Sequence, residues 1–243
     1  MRTPEVRLAC ARPGHWSAAQ WHELEHLLDA GERDAAARFR FDADRGAYVA
    51  AHAMLRALVA QESALAPEEI ELKHDASGRP FIAQLPRLHV SLSRSSDAVA
   101  CAVCPSTPVG IDIERIDGKP VDAGLLGAFV VTLEAVTARQ FFFQWTALEA
   151  FWKAKGTGLA DGNPRIQCVP RDASRFDVRL ENDAGTCAGR GAVVHAYEDC
   201  ALAVVLRAPA EPDFAIERTN CRSATDIEQL ARAHAAHERF FAA

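Results

Sequence analysis

Long apolar runs are missing from this chain. No stretch approaches the ~20 residues that a membrane span needs, and the opening "MRTPEVRLACARPGHW" lacks the apolar centre of a secretory signal, so the expected location is the cytoplasm. Runs of Lys or Arg are missing too. The 27 basic and 33 acidic residues are interspersed, for a net charge of -6, which excludes the footprint of a nucleic-acid or polybasic membrane binder. A small molecule or a protein remains as the partner. A disulfide pattern is missing as well: the seven cysteines are odd in number and irregular in spacing. The lone C-x-x-C of Cys101 and Cys104 has neither a second pair nor a turn. "AVACAVC" therefore reads as a buried strand using cysteine as a small apolar residue, not as a zinc or redox site.

Apolar residues, by contrast, make up 49% of the 243 positions, enough to bury a sizeable core. Ser17-x-x-Gln20 has capping-box form, with Trp21, Leu24 and Leu28 at helical spacing behind it. A second helix is predicted from about Asp44 to Ala60, its buried stripe being Tyr48, Ala51, Leu55 and Leu58. A turn at Ser77-Gly78 leads to strands near Leu88 to Ser93 and Ala98 to Cys104, followed directly by "VGIDIER". The second half mixes a helix through "FFFQWTALEAFWKAKGTGL" with strands near Phe176 to Leu180, Ala192 to Tyr197 and Leu202 to Leu206. Thr225-x-x-Glu228 predicts the start of a last helix beyond Pro209 to Pro212. The fold class is α+β, in two similar-sized halves over residues 1–105 and 106–210, with 211–243 an added packing element that carries a helix.

Two segments look like chemistry. "HELEH", from His22 to His26, matches the H-E-x-x-H zinc pattern and would imply a peptidase. However, Trp21, Leu24 and Leu28 take the apolar face, leaving both histidines among Glu23, Glu25 and Asp29 on a solvated one, and no third ligand is apparent. The other segment is VGIDIER together with QWTALEAFWKAKGTGL. Side chains alternate along a strand, so Asp112 and Glu114 leave the same face as two adjacent like charges, which need solvent or a cation between them. On the helix, Glu149 and Lys153 stand at i and i+4, next to an inward row of Trp145, Leu148 and Trp152. Three carboxylates with a lysine and a Gly156-x-Gly158 turn make an oxygen-rich site suited to Mg²⁺ and phosphate.

These residues carry a resemblance. Gly110-Ile111-Asp112-Ile113-Glu114, then Trp145-Thr146-Ala147-Leu148-Glu149-Ala150 with Lys153 and Gly156-Thr157-Gly158-Leu159, resemble the two-part signature of the 4'-phosphopantetheinyl transferases of the larger, monomeric, surfactin-synthetase-activating type. "SGRP" (Ser77 to Pro80), "VSLSRSS" and "DRGAYVAAHAMLR" stand where that family has its upstream pieces. The resemblance implies two pseudo-symmetric α/β halves with the active site between them. It also implies transfer of the phosphopantetheine arm of coenzyme A to a serine of an apo acyl or peptidyl carrier protein, with release of 3',5'-ADP. Asp112, Glu114 and Glu149 would hold Mg²⁺; Glu149 would also take the serine proton, and Lys153 would bind a phosphate oxygen. Arg45, Arg79, Ser93 and Arg94 would contact coenzyme A, the arginines as planar donors to phosphate. Arg94 replaces the family's histidine with a permanent charge, and Leu148 replaces a lysine, which would take one cation from the implied site. The short spacer between the two motifs covers the region that helps receive the carrier. The alternative is a weakened or non-catalytic relative that still binds coenzyme A or a protein.

Overall fold

The computed structural model describes residues 3–117, 123–130, 137–160, 162–207 and 213–241. From the N-terminus the elements are β1 (Glu5–Ala11), α1 (Ala18–His22), α2 (Ala30–Ala37), α3 (Asp42–Gln61), β2 (Leu72–His74), β3 (Pro80–Ile82), β4 (His89–Ser95), β5 (Ala98–Cys104) and β6 (Val109–Arg115). They continue with α4 (Ala123–Phe129), α5 (Ala138–Lys155), β7 (Ile166–Pro170), β8 (Arg175–Leu180), β9 (Asp183–Val193), β10 (Cys200–Leu206), β11 (Ala215–Cys221) and α6 (Ala224–Phe241).

Two sheets face one another, in the orders β11-β1-β5-β4 and β6-β10-β9-β8-β7, while β2 and β3 form a separate hairpin. The all-apolar strands explain the stacking. In β5, Val99, Cys101 and Val103 face the core built around α3, while Ala98, Ala100, Ala102 and Cys104 face the second sheet. In β10, Leu202, Val204 and Leu206 meet that inter-sheet core and Ala203 and Val205 meet α5. A strand buried on both faces needs no polar alternation. The layers therefore run α3, first sheet, second sheet, α5. Cys101 and Cys104 point into opposite cores, and the Cys101 thiol donates to the Ala51 carbonyl at 3.2 Å.

Several sequence expectations need adjustment. The helix expected from Asp44 to Ala60 is α3, but it is buried all round from Val49 to Ala60, because α6 and the segment through Leu24 and Leu28 cover what a stripe would expose. The strand expected at Ala192–Tyr197 ends at Val193, where the Ala196 N–H turns back on the Val194 carbonyl (3.1 Å), and β9 instead extends upstream through Gly189 and Gly191. A Cβ at Gly191 would lie 2.1 Å from the Phe176 ring, so a residue type normally depleted in strands is required there. The last helix is capped at Ser223, whose N–H, with that of Arg222, donates to the Asp226 carboxylate at 3.0 and 2.6 Å. Glu228, expected in the cap, pairs with Arg232 at 2.8 Å. The segment after residue 212 is built into the first layer pair: β11 runs parallel to β1 from Glu5↔Ala215 to Ala11↔Cys221, and the Gln61 amide donates to the Leu230 carbonyl at 3.2 Å.

Candidate active site

The glycine of VGIDIER sets the geometry. A Cβ on Gly110 would lie 1.9 Å from the Ala150 carbonyl oxygen and 2.5 Å from the Ala154 nitrogen, so α5 rests directly on β6 only because position 110 has no side chain. Ala150 and Ala154 thus face β6, and the adjoining row, Glu149 and Lys153, is carried over Asp112. Lys153 Nζ donates to Asp112 Oδ1 at 2.7 Å and to Ser93 Oγ at 3.1 Å. Helix α5 ends where Gly156 adopts φ +81°, its N–H bonded to the Trp152 carbonyl at 2.9 Å. Ser77 in the β2–β3 turn donates to the Gly156 carbonyl at 2.8 Å, which brings Arg79 against the end of the helix.

The halves meet where β4 and β6 run alongside each other as sheet edges, stitched by alternate serines. Ser91 Oγ accepts from the Ile111 N–H at 3.1 Å, Ser93 donates to Asp112 Oδ1 at 2.7 Å, and Ser95 donates to Glu114 Oε2 at 2.6 Å. Two cavities open along this seam. One, of about 350 Å³, is lined by Tyr48, His52, His74, Arg79, Arg94 and Lys153 among others. The second, of about 600 Å³, contains Ser93, Asp112, Glu114 and Glu149 and shares Leu92, Arg94 and Lys153 with the first. The pair is one cleft, cationic at one end and acidic at the other.

Electrostatically the acidic end is under-neutralised. Asp112 is only 3% exposed; burial pushes its carboxyl up, against the pull of Lys153 and Ser93. Glu114 is raised by burial and by Asp112, with Ser95 opposing, and Glu149 is raised by burial, Asp112 and Glu114. Asp112 Oδ2 is buried without a hydrogen-bond partner. An all-oxygen donor set with an orphaned buried acceptor and mutual repulsion fits a hard divalent cation. As they stand, Lys153 occupies Asp112, and among the described residues no three acidic, histidine or cysteine side chains converge as a metal-holding group, so holding an ion requires side-chain movement.

Of the residues singled out in the sequence, Asp112, Glu114, Glu149, Lys153, Ser93 and Arg94 share the acidic cavity, and Arg79 joins Arg94 and Lys153 in the other. Arg45 is not among them. Its guanidinium pairs with Glu25 at 2.9 Å and lies 5.0 Å over the Trp21 ring, because Asp44, Ala47 and Tyr48 take the face of α3 toward the cleft. Leu148 is fully buried in the core with Phe151 and Val205, away from the residues that line the cleft. Tyr48, His52, His74 and Phe39 also line the cleft, and reading Tyr48 as core concealed this. In HELEH, His22 and His26 are exposed as expected; α1 ends at His22, and His26 Nδ1 bonds the Glu23 carbonyl at 2.6 Å. The spacer assigned to the carrier protein contains α4 and the start of α5, while its stretches 118–122 and 131–136 lie outside the described residues.

Comparison with known proteins decides the lineage. Residues 14–106 match the N-terminal domain of 4'-phosphopantetheinyl transferases, and residues 108–205 match the 4'-phosphopantetheinyl transferase superfamily. The 4'-phosphopantetheinyl transferase psf-1 of Bacillus pumilus is 31% identical over 216 residues, spanning 84% of this chain and 89% of the relative. The chain belongs to the 4'-phosphopantetheinyl transferase superfamily. A phosphopantetheinyl transferase of Thraustochytrium is 32% identical over 165 residues (58% of this chain, 57% of the relative). The 4'-phosphopantetheinyl transferase Sfp of Bacillus subtilis is 28% identical over 166 residues (65% and 68%). The two matched segments of the superfamily divide between β5 and β6, where the halves meet and the cleft lies.

Proposed function

We propose that this chain transfers the 4'-phosphopantetheine arm of coenzyme A to a serine of an apo acyl or peptidyl carrier protein, releasing 3',5'-ADP. The carrying observation is the continuity of the cleft: Arg94 and Lys153 form a shared wall between a cation-lined cavity and the carboxylates Asp112, Glu114 and Glu149. Kinship to psf-1 supports the same reading. Coenzyme A lies with its phosphates toward Arg79, Arg94 and Lys153, where each guanidinium group donates to two phosphate oxygens at once. Arg45, held by Glu25, reaches a phosphate only by exchanging that partner. Asp112, Glu114 and Glu149 would hold Mg²⁺, which supplies charge neutralisation at the pyrophosphate. Ser93 and Ser95 hold two of those carboxylates in place.

The serine oxygen forms a bond to the pantetheine-bearing phosphorus, and the bond to the other phosphate breaks, its electron pair leaving with 3',5'-ADP. Glu149 accepts the serine proton, directly or through water. Lys153 moves from Asp112 toward the phosphate oxygens. The protein acts as a cytoplasmic monomer in this reading; among the described residues no helix is long and apolar enough to cross a membrane. Incubation with coenzyme A, Mg²⁺ and a panel of apo carrier proteins tests it. At least one carrier should gain the mass of a phosphopantetheine group, and 3',5'-ADP should appear in equal amount. Tight coenzyme A binding with no modified carrier and no 3',5'-ADP would favour the non-catalytic relative.

A further inference from the structure

We infer that Phe39 and Tyr48 form an aromatic shelf that positions Arg94 for a phosphate, a role that rests on the transferase reading above. The Arg94 guanidinium lies 5.7 Å from the Phe39 ring centre and 5.4 Å from that of Tyr48, within the range of cation–π attraction. Among the described residues no carboxylate stands within ion-pairing distance of it, unlike Arg12, Arg45 and Arg56, each of which is held by an acid. Arg94 is thus an unneutralised cation on the wall common to both cavities, held by rings instead of by charge.

The shelf itself is anchored. The rings of Phe39 and Tyr48 lie 5.3 Å apart, and Tyr48 stacks on His52 at 4.0 Å with an interplanar angle of 25°. His52 Nδ1 donates to Glu32 Oε1 at 2.7 Å, and the other Glu32 oxygen accepts from Arg56 at 2.6 Å. A chain of fixed groups therefore runs from the buried interior to the guanidinium. An arginine left free in solvent surrenders rotamer freedom when it grips a ligand, whereas one laid on two fixed rings has already surrendered much of it. An acid in place of the rings would have fixed Arg94 equally well but cancelled the charge that a phosphate needs. Tyr48 and Phe39 are positioning residues: they act on the phosphate only through Arg94.

A thermodynamic cycle on coenzyme A binding tests this, with Tyr48→Leu, Phe39→Leu, Tyr48→Phe, Arg94→Ala and the Tyr48→Leu/Arg94→Ala pair titrated calorimetrically. Tyr48→Leu and Phe39→Leu should each weaken binding by about 2- to 30-fold, the range of a cation–π contact. Tyr48→Phe keeps the ring and should stay within about twofold of the parent. In the Arg94→Ala background Tyr48→Leu should cost nothing further, since its route of action is gone. Circular dichroism melts identify variants that misfold, and Phe39→Leu, at a half-buried site, carries the test if Tyr48→Leu is one of them. Parental affinity in both leucine variants, or a Tyr48→Leu loss that persists undiminished without Arg94, would overturn the shelf alone. A parent protein that binds no coenzyme A would overturn both the shelf and the transferase reading.

Discussion

Beneath α2, Arg56 grips Glu32 at 2.6 Å and Asp29 at 2.5 Å while His52 takes the other Glu32 oxygen; in the cleft, among the described residues, Lys153 on Asp112 is the one ion pair made to Asp112, Glu114 and Glu149. Both clusters contain buried acids, yet they are finished differently. In the first, Arg56 also donates to the Pro67 carbonyl, and Asp29 caps α2 through the Glu32 N–H at 2.8 Å. Burial alone would raise the Glu32 carboxyl, but His52 and Arg56 outweigh it and hold it below its ordinary range. In the second, burial wins for all three acids and Asp112 Oδ2 has no partner. A buried network that is fully satisfied specifies structure; one left short of positive charge is a place where a ligand completes the count.

The sharpest way to break this contrast is to remove the cation of the satisfied network. Arg56→Met takes the guanidinium from Glu32 and Asp29, leaving Glu32 to His52 and Asp29 to its cap on α2, and should cost about 3–5 kcal/mol of stability, read by chemical denaturation. Coenzyme A binding in the surviving folded fraction should fall as well, because His52 and Tyr48 lose their support.

A smaller effect concerns pH and Mg²⁺. Glu32, with its carboxyl depressed, contributes stability that is complete above the ordinary carboxylate range and is lost as pH falls through its folded value. Asp112, Glu114 and Glu149 have the opposite sign: each is raised, so each costs stability as pH rises from the ordinary carboxylate range through its raised value. Melting from about pH 2 to pH 5 should show the acid limb set by Glu32, which lies below the ordinary carboxylate range, flatten in Glu32→Gln. At neutral pH, Mg²⁺ should raise the parent's melting temperature by about 2–4 °C for each kcal/mol of binding, and Glu149→Gln should lose most of that gain. Least of all should follow from changing His22 and His26 together to Ala. Both are exposed, so stability should move by no more than about 0.5 kcal/mol, with bound metal and transfer unchanged.

What was legible in the sequence was what local periodicity carries. VGIDIER occupies β6 residue for residue, AVACAVC occupies β5, and the row of Glu149 and Lys153 falls where helical spacing puts it. Gly110 was visible as a motif residue, but its reason, contact with the backbone of α5, exists only in three dimensions. Non-local pairings were hidden. The parallel match of β11 to β1 joins positions some 210 apart and leaves no local trace. Tyr48 fits an apolar stripe as well as it fits a cleft wall, and only the partner of Arg45, Glu25, shows why that arginine lies off the cleft. Gly189 and Gly191 disguised β9 because the requirement for them comes from Phe176, Phe151 and their neighbours on other elements.

In the proposed transferase, the under-neutralised cluster carries the transfer and the satisfied one carries the fold. The most direct test measures carrier-protein modification and unfolding free energy, without added Mg²⁺ for the unfolding, on Glu149→Gln beside Glu32→Gln. Glu149→Gln removes one of three repelling charges and the proton acceptor, so transfer should fall by about 10²–10⁴-fold while stability holds or rises. Glu32→Gln should lose several kcal/mol (about 3–5) of stability, while its folded fraction still modifies the carrier, slowed by no more than the roughly 2- to 30-fold that loosening the Phe39 and Tyr48 shelf can cost. A Glu149→Gln protein that transfers at the parental rate, or that unfolds as readily as Glu32→Gln, would contradict the account.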